Sequence, residues 1–243
     1  MTVVLEGRGL ARRFGGLPAL QDVTFDVSRG EIFGLIGPNG AGKSTLLSIV
    51  SGMLRPSAGS VVFNGHDITG LGAHRVCRLG IARVLQTPRP FMSMTVLENV
   101  TVGALFGGRD RGGAGAEGRD RVRRILDLLG LREKEGASVS SLNLQDKRTV
   151  EMARALATLP EVLLLDEPMA GLDPAEIDRS MGLVRRIRDE LEVTIVWIEH
   201  VMKAIMGVAE RVMVLNYGRV IALGRPTDVA RDGQVIDAYL GRA

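Results

Sequence analysis

The feature that most constrains this chain is a glycine-rich loop placed between an apolar strand and a helix. The apolar run "EIFGLIG" leads into "GPNGAGKST" (residues 37–45), and "KSTLLSIVSGM" continues with helical character. This order puts backbone N–H groups at a helix N-terminus, where they and the helix dipole attract anions. The loop fits G-x-x-x-x-G-K-[ST], in which the lysine bridges β- and γ-phosphates and the hydroxyl binds Mg²⁺. We therefore predict a phosphate site in which Lys43 and Ser44 have these roles.

Apolar runs and helical segments alternate along the rest of the chain. The alternating pattern of "LQDVTFDV" and the segment before it predicts antiparallel strands near the N-terminus. Later, the apolar runs "EVLLLDEP" and "VTIVWIEH" alternate with helices, one of them from about Pro174 to Leu191. Such runs are typical of a mainly parallel sheet covered on both faces.

Between Met94 and Arg154 the pattern is mostly helical and interrupts this alternation. We predict an α/β fold: a P-loop NTPase core with a mainly parallel sheet, an N-terminal antiparallel β region and an inserted helical subdomain. The nucleotide-binding core would comprise residues 1–87 and 155–243, and the helical subdomain residues 88–154. The stretch "GGRDRGGAGAEG" inside the insert is expected to be a mobile surface loop.

Composition excludes several classes of protein. The net charge is only +3 despite a pI near 9.4, which favours a solvated surface over a nucleic-acid partner. Apolar runs fall well short of the roughly 18 residues that span a bilayer. Cys77 is the single cysteine, so no internal disulfide forms, and no secretory signal pattern is seen. We expect a cytoplasmic protein in a reducing setting.

Two acids, Asp166 and Glu167, follow the apolar run "VLLL". A carboxylate there is costly unless it faces a cation or a polar cleft, and ligands of open α/β sheets collect at the carboxyl ends of strands. Asp166 suits water-mediated Mg²⁺ coordination, and Glu167 suits a general base or a water-orienting group. Taken alone, the pair also fits an acidic helix cap, which the upstream phosphate loop makes less favourable.

Three further residues are weaker signals when each is taken alone. His200 ends the strand "TIVWIEH" and Gln86 follows "IARVLQ", and strand-end residues of both types are usually structural or at the surface. Phe14 lies beside two glycines and fits either the core or a ring that stacks on adenine.

Together, these features resemble the ATP-binding subunits of ABC transporters, in order and spacing, over almost the whole chain. More narrowly, "RRFGGLPALQDV", "MTVLENV", "MAGLDPAE" and "IEHVMKAIMGVAERVMVLNYGRVIALG" resemble the subunits that serve branched-chain amino acid importers. The resemblance implies ATP and Mg²⁺ as ligands, with two subunits enclosing two ATP molecules head to tail.

The resemblance also implies a role for each matching residue. Glu167, His200 and Gln86 would be catalytic, and Ser44, Gln86 and Asp166 would hold the metal. Asp173 would communicate across the dimer, and Phe14 would stack on adenine. The residues implied to contact the nucleotide are Phe14, Gly37, Asn39, Gly40, Ala41, Gly42, Lys43, Ser44, Thr45, Asn143 and Asp173.

The partners implied are transmembrane permease subunits and a second ABC ATPase subunit, with a heterodimer favoured over a homodimer and no nucleic acid. The chain would sit peripherally on the inner face of the cell membrane. Three alternatives stay open: the ATPase of an exporter, such as one for lipopolysaccharide; a soluble, non-transport ABC ATPase, for example in iron–sulfur assembly; and a regulatory subunit that only binds ATP.

One motif departs from the family pattern. Where the family usually has LSGGQ, this chain has "LNLQD", residues 142–146. Asn143 can cap a helix or donate to phosphate as serine does, but Asp146 brings a negative charge near a polyphosphate. Lys147 and Arg148 follow directly and are expected to offset that charge. We interpret the motif as a tolerated variant in an active ATPase.

Overall fold

The computed structural model describes residues 2–107 and 115–240. Within these residues the chain forms ten strands and nine α-helices. The strands are β1 (Val3–Phe14), β2 (Leu17–Ser28), β3 (Ile32–Ile36), β4 (Ala58–Phe63), β5 (His66–Asp67), β6 (Ile81–Val84), β7 (Val162–Asp166), β8 (Thr194–Ile198), β9 (Arg211–Asn216) and β10 (Arg219–Gly224). The helices are α1 (Lys43–Val50), α2 (Ala73–Leu79), α3 (Val96–Phe106), α4 (Ala116–Leu128), α5 (Leu144–Leu156), α6 (Pro174–Leu191), α7 (Met202–Val208), α8 (Pro226–Val229) and α9 (Gly233–Leu240).

The chain divides into two compact units, and the first comprises Met1–Ala73 and Met169–Ala243. It contains a four-stranded antiparallel sheet in the order β2-β1-β4-β5 and a second set of strands in the order β10-β9-β3-β8. Strand β3 pairs in parallel with β8 and β9, and β10 runs antiparallel to β9. Every residue of β3 and β8 is buried, so the core of this unit lies around its parallel strands and includes the fully buried Trp197 and Phe33.

The second unit comprises His74–Pro168. Strands β6 and β7 pair in parallel, with Ile81 opposite Val162 and Val84 opposite Leu165. Helix α3 packs closely on α5: a Cβ at Gly103 would lie 2.2 Å from the Arg154 carbonyl oxygen, so only glycine permits this approach. The unit takes in β6 and β7 as well as the helices of residues 88–154, because these two strands pair with each other and α5 packs on β6.

The predicted fold class is confirmed, with an N-terminal antiparallel sheet and mainly parallel strands elsewhere. The two N-terminal strands, predicted to be antiparallel, are 12 residues each. Helices α2, α8 and α9 were not predicted. The loop predicted for the stretch "GGRDRGGAGAEG" extends too far toward the C-terminus, because α4 already begins at Ala116. Residues 108–114 of this stretch lie outside the described part of the chain.

Among residues 2–107 and 115–240, no helix combines the length and the apolar character that crossing a membrane requires.

Candidate active site

The loop between β3 and α1 depends on glycine at two positions for reasons of space. A Cβ at Gly37 would lie 2.1 Å from the Leu215 carbonyl oxygen, and one at Gly42 would lie 2.5 Å from the Ala19 carbonyl oxygen. Gly40 differs, since no atom lies within 4 Å of where a Cβ would be and only its φ of +78° favours glycine. Gly37 and Gly42 therefore let neighbouring backbone approach closely, whereas Gly40 has a left-handed conformation with no atoms packed against it.

The N-terminus of α1 is suited to an anion. Lys43 is buried, with 5% of its surface exposed, and its Nζ donates to the carbonyl oxygens of Gly37 (2.7 Å) and Pro38 (3.0 Å). The N-cap residue Gly42 makes no side-chain cap, and the first turn contains no acidic residue. Ser44 lies exposed in that turn. Because backbone N–H groups, the helix dipole and a lysine converge here, the residues fit a phosphate group.

The other loop residues are held by backbone contacts. Ala41 is buried, and its carbonyl oxygen accepts from Gly218 N–H at 3.0 Å. Asn39 is exposed and Thr45 is half-buried. The loop is thus tied to the turn between β9 and β10.

Phe14 lies at the end of β1 and is 49% exposed. The guanidinium carbon of Arg12 lies 4.9 Å from the centre of its ring, a cation–π contact. An adenine that stacks on Phe14 must share the ring with this guanidinium or displace it.

Asp166 ends β7 and is 4% exposed. Its Oδ2 accepts from Arg83 Nη2 at 2.6 Å, and Arg83 lies on the adjacent strand β6, opposite Leu164. A buried carboxylate needs such a partner because desolvation is costly. Sequence reasoning missed Arg83, although an arginine within the apolar run "IARV" is itself a signal that an acid lies nearby.

Glu167 and Gln86 both lie in the second unit and contact each other directly. Gln86 Nε2 donates to Glu167 Oε2 at 2.7 Å. Glu167 has a φ of +50°, a left-handed conformation that costs a non-glycine residue of order 1–3 kcal/mol. The direct hydrogen bond holds the carboxylate in one orientation.

His200 follows β8 and is exposed, while the preceding Glu199 is 2% exposed. Glu199 accepts hydrogen bonds from the backbone N–H groups of Met169 (2.8 Å), His200 (3.0 Å) and Val201 (3.4 Å). Sequence reasoning assigned no role to Glu199. The signal was present, since an acid directly after a buried strand needs polar partners.

Asp173 is the N-cap of α6. Its Oδ1 accepts from Glu176 N–H at 2.8 Å, and Glu176 Oε2 accepts from Asp173 N–H at 2.9 Å, which forms a capping box in front of Pro174. The helix start is thereby fixed locally.

Asn143 is the N-cap of α5, and its Oδ1 accepts from Asp146 N–H at 2.7 Å. The Asp146 carboxylate binds Lys134 Nζ at 2.7 and 2.8 Å. Lys147 does not pair with this carboxylate directly, since its Nζ donates to the Ser140 carbonyl oxygen at 3.4 Å; that Lys147 and Arg148 offset the charge stays a prediction. The partner is Lys134 because the 3-10 turn at residues 132–134 comes back to the start of α5.

A model of the family described as ABC transporter matches residues 20–170 of the chain, more than half of its length. The chain belongs to the ABC transporter family. This ABC ATPase is 38% identical to the high-affinity branched-chain amino acid transport ATP-binding protein LivG of Escherichia coli (strain K12), over 99% of the chain and 98% of LivG.

Solved structures agree with this assignment. An ATP-binding cassette of an ABC transporter in its ADP conformation has a TM-score of 0.89 and 30% identity, with 100% of both chains covered. A dimeric post-hydrolysis cassette bound to ADP and Pi has a TM-score of 0.80 and 26% identity, with 91% of this chain and 98% of that one covered. The described residues therefore have the fold of an ABC cassette, and the chain binds ATP.

In this ABC ATPase, sequence reasoning also missed a residue beside the phosphate loop. Tyr239 of α9 is 42% exposed, and its hydroxyl accepts from the Gly37 backbone N–H. Burial raises the pKa of Tyr239, and the hydrogen bond from Gly37 opposes that shift. No local signal marks this residue, because the contact forms only when the C-terminal helix packs.

Two residues of α5, Glu151 and Arg154, contact the segment after Gln86, and the sequence analysis did not predict either contact. Glu151 Oε1 accepts from Arg89 N–H at 3.2 Å, and Arg154 Nη2 donates to the Arg89 carbonyl oxygen at 3.1 Å. Burial raises the pKa of Glu151, against the opposing effect of its hydrogen bond with Arg89 and the charge of Arg154. Helix α5 of this ATPase thus carries Asn143 at one end and contacts to the Gln86 segment further along.

Proposed function

We propose that the chain hydrolyses Mg-ATP to energise the uptake of a branched-chain amino acid or a related small solute through a membrane permease. The family assignment supports the ATPase activity. The solute class is supported by the likeness to LivG, which spans 98% of that transporter subunit. The observation that carries the catalytic part is the hydrogen bond between Gln86 and Glu167, since it presents the proposed base in a fixed orientation.

The phosphate loop supplies the groups that bind the phosphates. Lys43 and the backbone N–H groups of residues 37–45 neutralise and orient the β- and γ-phosphates, with Asn39, Gly40, Ala41, Gly42 and Thr45 forming the loop itself. His200 contacts the γ-phosphate, and Phe14 stacks on adenine.

Glu167 is the general base of the proposed reaction. Glu167 orients the attacking water and accepts its proton as the water oxygen bonds to the γ-phosphorus and the bond to ADP breaks. Gln86 positions Glu167 through the 2.7 Å hydrogen bond.

Ser44, Asp166 and Gln86 would hold Mg²⁺, which neutralises phosphate charge. The described residues contain no cluster of three His, Cys, Asp or Glu side chains that could bind a metal by themselves. This fits Mg²⁺, which usually takes one or two carboxylates and completes its shell with waters and substrate phosphates. The Arg83–Asp166 pair favours contact through water, because the carboxylate already has a cationic partner.

The "LNLQD" motif is compatible with hydrolysis. Lys134 neutralises Asp146, which removes the main electrostatic objection to a phosphate at the start of α5. Asn143 would contact the ATP held by a second ABC ATPase subunit, and Asp173 would communicate across that dimer. A heterodimer of two related ATPases is favoured over a homodimer.

Residues 88–154 would form the helical subdomain that docks on the transmembrane permease subunits. The chain would then lie peripherally at the inner face of the cell membrane. No nucleic-acid partner is proposed.

Steady-state turnover of Mg-ATP in the assembled complex tests the catalytic role. We expect Glu167→Gln to lower kcat by about 100-fold or more, because a positioned general base contributes that much. Glu133→Gln is the matched control, since Glu133 is exposed on a 3-10 turn of the same unit. Equal, near-zero rates in the wild-type complex and in Glu167→Gln would show that this subunit only binds ATP.

Uptake into vesicles that contain the reconstituted complex tests the transport role. We expect ATP inside the vesicles to drive leucine, isoleucine or valine inwards, and Glu167→Gln to abolish this uptake. Outward movement of a lipid, or turnover without any membrane partner, would replace the importer proposal with an exporter or a soluble ATPase.

A further inference from the structure

We propose that Glu199 is a positioning residue for ATP hydrolysis: it holds two backbone stretches that border proposed catalytic residues. One is at Met169, two residues after Glu167, and the other is at His200 itself. The inference rests on the proposed function, because the catalytic roles of Glu167 and His200 belong to it.

The contacts of Glu199 divide between its two oxygens. Oε1 accepts from Met169 N–H at 2.8 Å, a residue 30 positions earlier in the chain, and Oε2 accepts from His200 N–H at 3.0 Å. Oε2 also lies 3.4 Å from the N–H of Val201, the N-cap of α7. One side chain thus joins the chain after β7 to the chain after β8.

The chemistry of the link requires a carboxylate. Both of its oxygens accept hydrogen bonds, whereas a glutamine presents one acceptor and one donor. Glu199 is only 2% exposed, and burying a charge is costly even when hydrogen bonds compensate for it. An apolar side chain would fill this volume without that cost, so packing alone does not explain the residue.

The two stretches have little freedom once they are held. Met169 is 1% exposed, and four residues later Asp173 fixes the start of α6 with its capping box. His200 follows Glu199 directly, so the Oε2 hydrogen bond sets the backbone from which the imidazole extends. Loss of either hydrogen bond would release the backbone beside one proposed catalytic residue while the phosphate loop stays intact.

The test compares Glu199→Gln with wild type in the assembled complex. Since a small misplacement of a catalytic group can cost about 100-fold, we expect kcat to fall between about 10- and 100-fold. The KM for ATP should stay within about threefold, because the contacts of the phosphate loop at residues 37–45 are unchanged. Glu199→Asp keeps two acceptor oxygens on a shorter side chain and should recover part of the lost kcat. Glu190→Gln is the matched control, since Glu190 is an exposed residue of α6 paired with Arg186 at 2.8 Å.

A second readout follows the backbone directly. Amide hydrogen exchange of the full chain should increase at Met169, His200 or both in Glu199→Gln and remain unchanged at residues 37–45. A kcat within twofold of wild type would overturn the proposal, as would a loss of protection that spreads through the whole first unit. If wild type shows no turnover, the proposed function fails. Unchanged amide exchange at Met169 and His200 in Glu199→Gln would separately show that Glu199 does not hold these stretches.

Discussion

The phosphate loop at residues 37–42 and the turn at residues 142–146 both end at a helix N-terminus where a phosphate is expected, but they are built differently. In the loop, neighbouring carbonyl oxygens occupy the space that a side chain at Gly37 or Gly42 would need. In the turn, side-chain contacts fix the conformation, because Asn143 caps α5 and Lys134 pairs with Asp146.

The difference explains why one motif keeps the family pattern and the other does not. Backbone packed against backbone leaves no alternative to glycine. A cap made by a side-chain oxygen can be supplied by Asn, Ser, Asp or Thr, and a surface charge can be balanced from anywhere within reach. The turn can therefore change its residues and still begin the same helix.

The largest expected effect comes from placing a side chain in the loop. Gly37→Ala puts a Cβ 2.1 Å from the Leu215 carbonyl oxygen, and the resulting displacement should weaken Mg-ATP binding by at least about 100-fold. It should also lower the free energy of unfolding by about 3 kcal/mol or more. Titration calorimetry and denaturant unfolding measure the two effects.

Gly40→Ala is the control for that prediction. Its cost should be only about 1–2 kcal/mol, for the left-handed conformation alone, since nothing lies within 4 Å of the added Cβ. Equal losses in both variants would show that backbone conformation, rather than space, determines the glycines of this loop.

A smaller effect is expected at the turn. Asn143→Ala removes the hydrogen bond to Asp146 N–H, at a cost of about 1 kcal/mol in the free energy of unfolding. Asn143→Ser should restore most of that stability and retain ATP turnover. If serine is as poor as alanine in both measurements, the turn is not exchangeable and the comparison with the loop fails.

The smallest effect concerns the charge of Asp146. Lys134→Met leaves this carboxylate without its 2.7 Å partner and should raise the KM for ATP by two- to fivefold, because a partly exposed ion pair contributes about 0.2–1 kcal/mol. Adding Asp146→Asn to Lys134→Met should return the KM to the wild-type value. No recovery in the double variant would mean that Lys134 acts on ATP by another route.

The elements that sequence analysis predicted are those with long apolar or amphipathic patterns. Helix α6 has the predicted bounds, Pro174–Leu191, and the buried strands β3, β7 and β8 follow their apolar runs. The short helices α2, α8 and α9, with 7, 4 and 8 residues, give too little periodicity to be distinguished from turns.

The partners of the site residues could not be predicted because they are distant in sequence. Asp166 pairs with Arg83 across a separation of 83 residues, and the Met169 N–H donates to Glu199 across a separation of 30. For Asp146, the sequence suggested the adjacent cations as the groups that offset its charge. In a helix, however, Lys147 points away from its neighbour, and Lys134 from the preceding turn forms the ion pair. Motif spacing indicates which residues do chemistry; tertiary packing decides what holds them.

The hydrogen bond between Tyr239 and Gly37 has a practical consequence for handling the protein. Because α9 lies beside the loop at residues 37–42, a fluorescent label attached to an exposed residue of this helix would lie close to the nucleotide. Labels should therefore be placed away from α9, and kinetic comparisons should use samples that carry the label at the same position.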